Sequence, residues 1–510
     1  MLSVSFSDSD GSVSTVDLQG IGFYTLMDQT AGSATFHLHP TDADLGEHLV
    51  SLTVTDNDGQ STSTTFTLMV LTPEEADCGC DHVINTWGPF NAADFTYSAG
   101  DVFCLEAGNH YNWIRFIGFN GTQAEPLRFK NCNGKVEINS HPYPGLEFRD
   151  SIHLIIDGTG SAAHTYGIKV ASSNTAGISL TFKTSDVEVH NVEVTNTGFA
   201  MIMAKTDPNC DNVDAWRGNF LMKNMIFHDN YLHDNIDGEG FYLGYTGNYE
   251  LGKQVNCSGG GNMVVHGHLL SNIKVYDNII ENVAWDAIQV SLAEGGSEIY
   301  NNVITNYGTN NEPVQNSGIA IGSGTRARVF NNTVINGPGH GVVNHGLGPV
   351  YFYNNIIVDA ATRGIYNDRQ KTPNSNDGYY FANNTIINAG GHGIFYNWQE
   401  NTQAPFEAYN NIIVNPGQYY HYAALASHWT VPEEDGYIGF ITPEAKAHAI
   451  KANNLLTLDI AEVLFTAPAS NNYRLQSGSP AIDAGTDSVE ALMGFDDDIT
   501  GFNRVNDFDI

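Results

Sequence analysis

The sequence predicts an all-β chain, with a small two-sheeted module at the amino end and a long solenoid of stacked coils behind it. Three observations carry that prediction. Between residues 228 and 415 a seven-residue pattern with Asn at its third position recurs seven times, at intervals of 23 to 30 residues apart from one of 48. A second short apolar run, led by Gly or Ala, follows each of the first six copies. Residues 1–72 instead alternate apolar and polar residues in short runs between Asp- and Gly-rich turns. Self-similarity at such a period marks stacked repeats, and alternation with period two marks half-buried strands.

The amino-terminal module holds runs at 3–6, 34–38, 49–54 and 64–70, each with one apolar face. Its stretch PTDADLGEHLVSLTVTDNDGQSTSTTFTLMV, from Pro40 to Val70, resembles the second half of cadherin-like and PKD-like bacterial surface modules. That resemblance implies an Ig-like β-sandwich spacer over 1–72, with DADLG and TDNDG as inter-strand turns. A linker is expected over 73–80, opened by Pro73, which cannot extend a sheet.

The repeats come next. HDNYLHD (228–234), YDNIIEN (276–282), YNNVITN (300–306), FNNTVIN (330–336), YNNIIVD (353–359), ANNTIIN (382–388) and YNNIIVN (409–415) align without a gap. The second runs are GFYL (240–243), AIQV (287–290), GIAI (318–321), GVVN (341–344), GIYN (364–367) and GIFY (393–396). Each coil buries its apolar residues against the coils above and below. Asn230, Asn278, Asn302, Asn332, Asn355, Asn384 and Asn411 are then expected to stack as one ladder, their amides satisfying backbone groups that a bend leaves unpaired. The pattern looks like a right-handed parallel β-helix over 81–470, with VEIN (136–139), LIID (154–157), GIKV (167–170) and VEVHNVEVTN (187–196) as earlier coils. Residues 102–138, and NYRLQSGSPAIDAGTD (472–487) with GFNRVNDFDI (501–510), resemble the opening and closing parts of secreted bacterial β-helix proteins. The resemblance implies that 471–510 is a closing segment, truncated before the Gly-aromatic-Glu stretch that usually follows.

Composition bounds the function. With 21 Lys+Arg against 57 Asp+Glu, the net charge is −36, which repels phosphate backbones and anionic membranes. No run approaches the ~18 apolar residues of a membrane span. Residues 1–30 show no basic stretch followed by an apolar one, so a leader is expected to have been cut away before Met1. Cysteines stand at 78, 80, 104, 132, 210 and 257, an even number without paired CxxC spacing. They point to disulfides in an oxidising setting and a secreted or cell-surface protein. Cys210 and Cys257 bracket an insertion at 245–270 and are read as a staple, with Cys104 and Cys132 as a second.

Register turns the repeats into a surface, because equivalent residues on neighbouring coils lie about 4.8 Å apart. The residue before each small residue reads Tyr166, Phe199, Glu239, Asp286, Ser317, His340, Arg363 and His392 down the coils. The outward residues beyond read Lys169, Ile202, Tyr242, Gln289, Ala320, Val343, Tyr366 and Phe395. An aromatic-flanked groove with polar groups at its centre is the form sugar-binding β-helices take. Glu239 and Asp286, on adjacent coils at about 5 Å, suit the paired carboxyl groups of retaining glycoside hydrolysis, and their repulsion beside Trp285 raises one pKa. Asp237, Glu239 and Asp286 equally suit a calcium cage. That arrangement supports β-helix polysaccharide lyases, in which the metal neutralises a uronate and a basic residue takes the proton. His340 and Arg363 are further catalytic candidates, with Lys205 and Lys253 on nearby loops. Tyr242, Trp285, Gln289, Ser317, His392 and Tyr366 are candidate substrate contacts. His340 and His392, each between glycines, resemble the GHG of pectin-degrading β-helices. His266 and His268 offer a weak metal pair.

The expected function is a monomeric, extracellular protein acting on polysaccharide, a glycoside hydrolase first and a calcium-dependent uronate lyase second. A non-catalytic adhesive or glycan-binding rod is the third reading. Calcium is the one cofactor considered; neither nucleic acid nor membrane insertion is expected.

Overall fold

The computed structural model describes residues 2–499 except 8–11, 31, 71–77, 141, 173, 258–260, 369–377, 398–404, 418–435 and 488–498. Part of the expected linker and the stretch 501–510 therefore lie outside the described residues.

Three long parallel sheets wind around one core. Sheet A has 12 strands, from Gly88–Asn91 to Ile438–Phe440; sheet B has 13, from His82–Ile84 to Ile450–Ala452; sheet C has 11, from Val136–Ser140 to Leu455–Thr457. One coil shows the path. Leu269–Tyr276 runs in sheet B, Ile279–Glu281 in C and Ile288–Val290 in A, and Gly295–Tyr300 returns to B. The Asn-centred repeats thus form the bend from B into C and the short strand after it, and the second runs form sheet A.

The bend explains the repeat residue by residue. Asp277, Asn301, Asn331, Asn354, Asn383 and Asn410 all sit at φ between 54° and 56°, and Asn282, Asn306, Asn336, Asp359, Asn388 and Asn415 close the short strand at φ between 50° and 61°. Asn and Asp are the non-glycine residues that tolerate this left-handed conformation best. Between them the inward Asn forms the predicted ladder. From Asn230 to Asn411, each side-chain Nδ2 donates to the Oδ1 of the next Asn at 2.8–3.0 Å, and the ladder ends on Asn454. Sequence reading missed Asn454, which stands 43 residues after Asn411 and so falls outside the usual repeat interval. Beneath the ladder, Ile280, Ile304, Val334, Ile357, Ile386 and Ile413 stack in register and are at most 1% exposed. Outside it, His228, Tyr276, Tyr300, Phe330 and Tyr353 stack ring on ring at 4.8 Å.

The amino-terminal region forms two three-stranded antiparallel sheets around Val16, Leu18, Ala34, Phe36 and Val50. Strands Val13–Gln19 and Tyr24–Gln29 escaped the sequence reading because polar residues interrupt their alternation. In the TDNDG turn, Asp56 accepts from the N–H of Asp58 and of Gln60, so its carboxylate shapes the turn itself.

Three disulfides join Cys78–Cys132, Cys80–Cys104 and Cys210–Cys257. The Cys210–Cys257 staple is as expected. Cys104 and Cys132 do not pair with each other. They lie on adjacent strands of sheet B, and each is bonded to one cysteine of the Cys78-Gly-Cys80 segment.

Candidate active site

Hydrogen-bonded register settles the column. Phe241, Ile288, Ile319, Val342, Ile365 and Ile394 are partners in sheet A, so Glu239, Asp286, Ser317, His340, Arg363 and His392 do hold equivalent places. The two earlier members do not. The GIKV strand that follows Tyr166 pairs in sheet C, which removes Tyr166 and Lys169 from this face. Ile202 pairs with Phe241, so Ala200 rather than Phe199 matches Glu239, and Met203 rather than Ile202 faces outward beside Tyr242. The apolar run AMIMA fits two registers, and a slip of one residue exchanges the faces.

A cavity of about 460 Å³ lies over the outward face of sheet A. Its floor is Gln289, Ala320 and Val343, with Asp286 at the edge. The insertion supplies one wall, from Thr246 to Glu250. That wall is anchored where Arg217 donates to Tyr249 O, Tyr249 N–H donates to Ser323, and Tyr249 donates to Glu294 at 2.9 Å. The loop around Val314 and Gln315 forms the other side. The groove therefore lies across the second-run strands.

The carboxyl pair occupies adjacent coils, with Gly240 N–H donating to Asp286 O at 3.1 Å. Its two members differ in access. Asp286 lines the cavity although only 1% exposed, and its Oδ1 accepts from Ser317 N–H at 2.6 Å. Glu239 is 0% exposed, and neither of its oxygens bonds to another residue. Shared register thus gives only Asp286 access to the groove. Burial pushes Asp286 up to about 8, against the lowering pull of the Ser317 N–H and helped by Glu239. Burial likewise pushes Glu239 up to about 7, opposed by its own backbone and Lys205. At neutral pH Asp286 is therefore mostly a neutral carboxylic acid.

Lys205 lies close enough to Glu239 to lower its pKa. Burial disfavours the charge of Lys205 itself, but Tyr242 and Asp207 outweigh that and hold its pKa above the ordinary value. Its Nζ lies 2.8 Å from Asp207 and 3.8 Å from the Tyr242 ring centre. A polar chain continues from there: Thr246 donates to Tyr242 Oη at 2.8 Å, and Gln289 Nε2 donates to Thr246 at 3.2 Å. Lys205, Thr246 and the wall residues carry no repeat signature, so sequence register could not rank them.

The other candidates divide. Ser317 acts through its backbone N–H. Trp285 is partly exposed against Phe199, away from the cavity lining. His340 is pushed down to about 3 by burial and by Arg363; its Nδ1 bonds Thr362 and its ring lies against Tyr366, so it is a neutral packing residue at neutral pH. Arg363 lies over Tyr366 and Phe395, and His392 packs on Phe395. None of these four lines the cavity, whereas His345, Asp368 and Glu250, unmarked by the sequence reading, do. His268 is buried, is pushed down to about 4, and accepts the Thr206 N–H through Nε2, which leaves no metal pair with His266. Lys253 lies over Tyr245 in the insertion.

The carboxyl oxygens of Asp237, Glu239 and Asp286, the residues expected to cage calcium, are not gathered within 4.8 Å of one another, and Asp237 accepts from Asn310. Among the described residues, the group of three or more ligand-type side chains whose atoms all lie within 4.8 Å is Cys78, Cys80 and Cys132, all disulfide-bonded.

No helix of the described residues is long and apolar enough to cross a membrane. No curated protein matches the chain. An alginate lyase from Paenibacillus sp. str. FPU-7 has a solved structure similar at a TM-score of 0.34 and 15% identity, covering 72% of this chain and 99% of that one. The family model described as "Right handed beta helix region" matches residues 264–431, so the solenoid seen here is a right-handed parallel β-helix.

Proposed function

We propose that the chain binds a uronate-containing polysaccharide along the outer face of sheet A and cleaves it by β-elimination. One observation supports this reading over hydrolysis: of the two adjacent carboxyl groups, only Asp286 reaches the groove, and it does so as a neutral acid. Hydrolysis by the Glu239–Asp286 pair needs both groups at the reacting carbon, and Glu239 is fully buried and absent from the cavity lining. A neutral carboxyl beside the Gln289 amide instead suits a uronate carboxylate, which it hydrogen-bonds without like-charge repulsion. It then stabilises the negative charge that develops when the neighbouring C–H proton leaves. His345, which lines the same cavity with its Nδ1 3.0 Å from Asp368, offers an imidazole nitrogen to take that proton and return it to the departing glycosidic oxygen. The C5–H bond breaks, a C4=C5 double bond forms, and the C4–O bond breaks, so charge and atoms balance without an added reactant.

The test is digestion of polygalacturonate, alginate and hyaluronate, reading unsaturated uronate ends by ultraviolet absorbance alongside reducing ends. Equal yields of both are expected. Reducing ends without unsaturation would replace elimination by hydrolysis. Asp286→Asn keeps a neutral hydrogen-bonding group and should retain activity within about tenfold, whereas Asp286→Ala should lose 10² or more.

A further inference from the structure

The outer face of sheet A extends well beyond the groove. Arg115, Glu147, Ser179, Met203, Tyr242 and Gln289 are successive outward residues in register. Arg115 thus stands five strand spacings, about 24 Å, from the groove floor. Beside it runs a row of rings. Trp87 and Trp113 directly precede the paired strands Gly88–Asn91 and Ile114–Ile117, and Tyr143 follows on the next coil. Ring centres are 6.2 Å apart for Trp87–Trp113 and 5.0 Å for Trp113–Tyr143. Trp87 and Tyr143 are each 46% exposed. They are not filling the core, which at this end is packed by Phe103, Phe116, Phe129 and Phe148. The Arg115 guanidinium lies 5.2 Å from the Trp113 ring centre and 5.7 Å from that of Tyr143. Arg115 and Arg149 both bond the single carboxylate of Glu147 at 2.6 Å, which leaves one positive charge in excess on a chain of net charge −36.

We propose that Trp87, Trp113 and Tyr143, with Arg115 and Arg149, form a remote subsite for an acidic polysaccharide strand whose further length lies in the groove. The identity of that strand rests on the function proposed above. Exposed rings in a row offer the apolar faces that sugar rings stack on, and guanidinium groups recognise carboxylates. Continuity of register places the row on the same face as Asp286, and its distance means that only a polymer engages both places. Binding at two points on one strand raises the effective concentration at the second.

The experiment is affinity electrophoresis of the full chain through gels containing polygalacturonate, alginate or neutral hydroxyethyl cellulose. The wild type, Asp286→Ala, Trp87→Ala with Trp113→Ala, and Arg115→Gln are compared. Retention by an acidic polymer is expected in the wild type and in Asp286→Ala. The double variant should bind about tenfold or more weakly, and Arg115→Gln should also weaken binding, with an unchanged rate on short oligosaccharides for both. Tyr143→Ala and Trp113→Phe, checked by melting temperature, carry the same comparison should the double variant fail to fold. Undiminished retention of folded ring variants, no retention of the wild type, or equal retention by the neutral polymer would each overturn the proposal. Retention by an acidic polymer that is never cleaved would refute the elimination reading and leave the subsite standing.

Discussion

Asn332→Ala probes the ladder at its middle. In the wild type its Nδ2 donates to Ile299 O at 2.9 Å, Phe330 O at 3.0 Å and Asn355 Oδ1 at 3.0 Å. Its Oδ1 accepts from Asn302 N–H at 3.1 Å and Asn302 Nδ2 at 2.9 Å. Not all five losses count equally. Phe330 O still accepts from Asn301 N–H, Asn302 Nδ2 still donates to Val275 O, and Asn355 Oδ1 keeps the backbone N–H of residue 332. The uncompensated group is the buried Asn302 N–H, together with the weakened carbonyl of Ile299. At about 1–3 kcal/mol for a buried unsatisfied group, the cost is about 2–4 kcal/mol. Spread over a solenoid of several hundred residues, that lowers the melting temperature by only about 2–4 °C, so the urea midpoint is the better measure. Asn332→Asp sharpens the comparison, since it keeps the acceptor but turns a carboxylate toward carbonyl oxygens. It should be worse than Asn332→Ala at pH 7 and recover as pH falls. An Asn332→Ala midpoint within about 0.5 kcal/mol of the wild type would show that the ladder is not a stabilising element.

Asp286→Asn should raise stability at alkaline pH. Because Asp286 is pushed up to about 8 from 3.8, the native state binds the extra proton between those values, and wild-type stability falls as pH rises through that window. The variant escapes this by up to about 4 kcal/mol at pH 7, and melting curves at pH 5 and pH 8 that run parallel for the two proteins would contradict it. Glu193 shows the opposite sign. The His233 hydrogen bond, and behind it Lys135 and Lys169, outweigh burial and hold it well below its ordinary 4.5, so its contribution is present above that value and lost as pH falls below it. Glu193→Gln should flatten the acid side of the melting profile, and an unaltered slope below pH 4.5 would count against the cluster. Replacing Cys210 and Cys257 with Ser removes a cross-link spanning 47 residues, worth up to about 4 kcal/mol by loop entropy. Limited proteolysis should then cut within the insertion hairpin Lys253–Cys257 and Gly261–Val265, and a resistant insertion would show that Arg217 and Tyr249 hold the wall unaided.

Where a residue is chosen by the backbone, the sequence announced it. Asn at the inward ladder position and Asn or Asp at the left-handed bends recur because few other side chains serve, which made the fold and the Glu239–Asp286 register readable in advance. The failures share a different cause. AMIMA at 200–204 contains no residue tied to one register, so Phe199 and Ala200 could not be told apart. Burial at the site was equally hidden, since the pattern reveals that Glu239 and Asp286 share a column but not that only Asp286 lines the cavity. Lys205, Thr246 and Tyr249 come from connections whose length and course no repeat constrains.

The position of Asp286 along the stack has a consequence for how the molecule fails. Glu239 and Asp286 precede the sixth and seventh of the twelve strands of sheet A. A one-dimensional array melts from its ends inward, because a terminal coil has one neighbour where an internal coil has two. The chemistry is therefore housed where fraying arrives last. Damage at either end, by proteolysis or heat, should shorten the rod before it silences the groove. Amide exchange should slow from both ends toward the coils that carry residues 239 and 286.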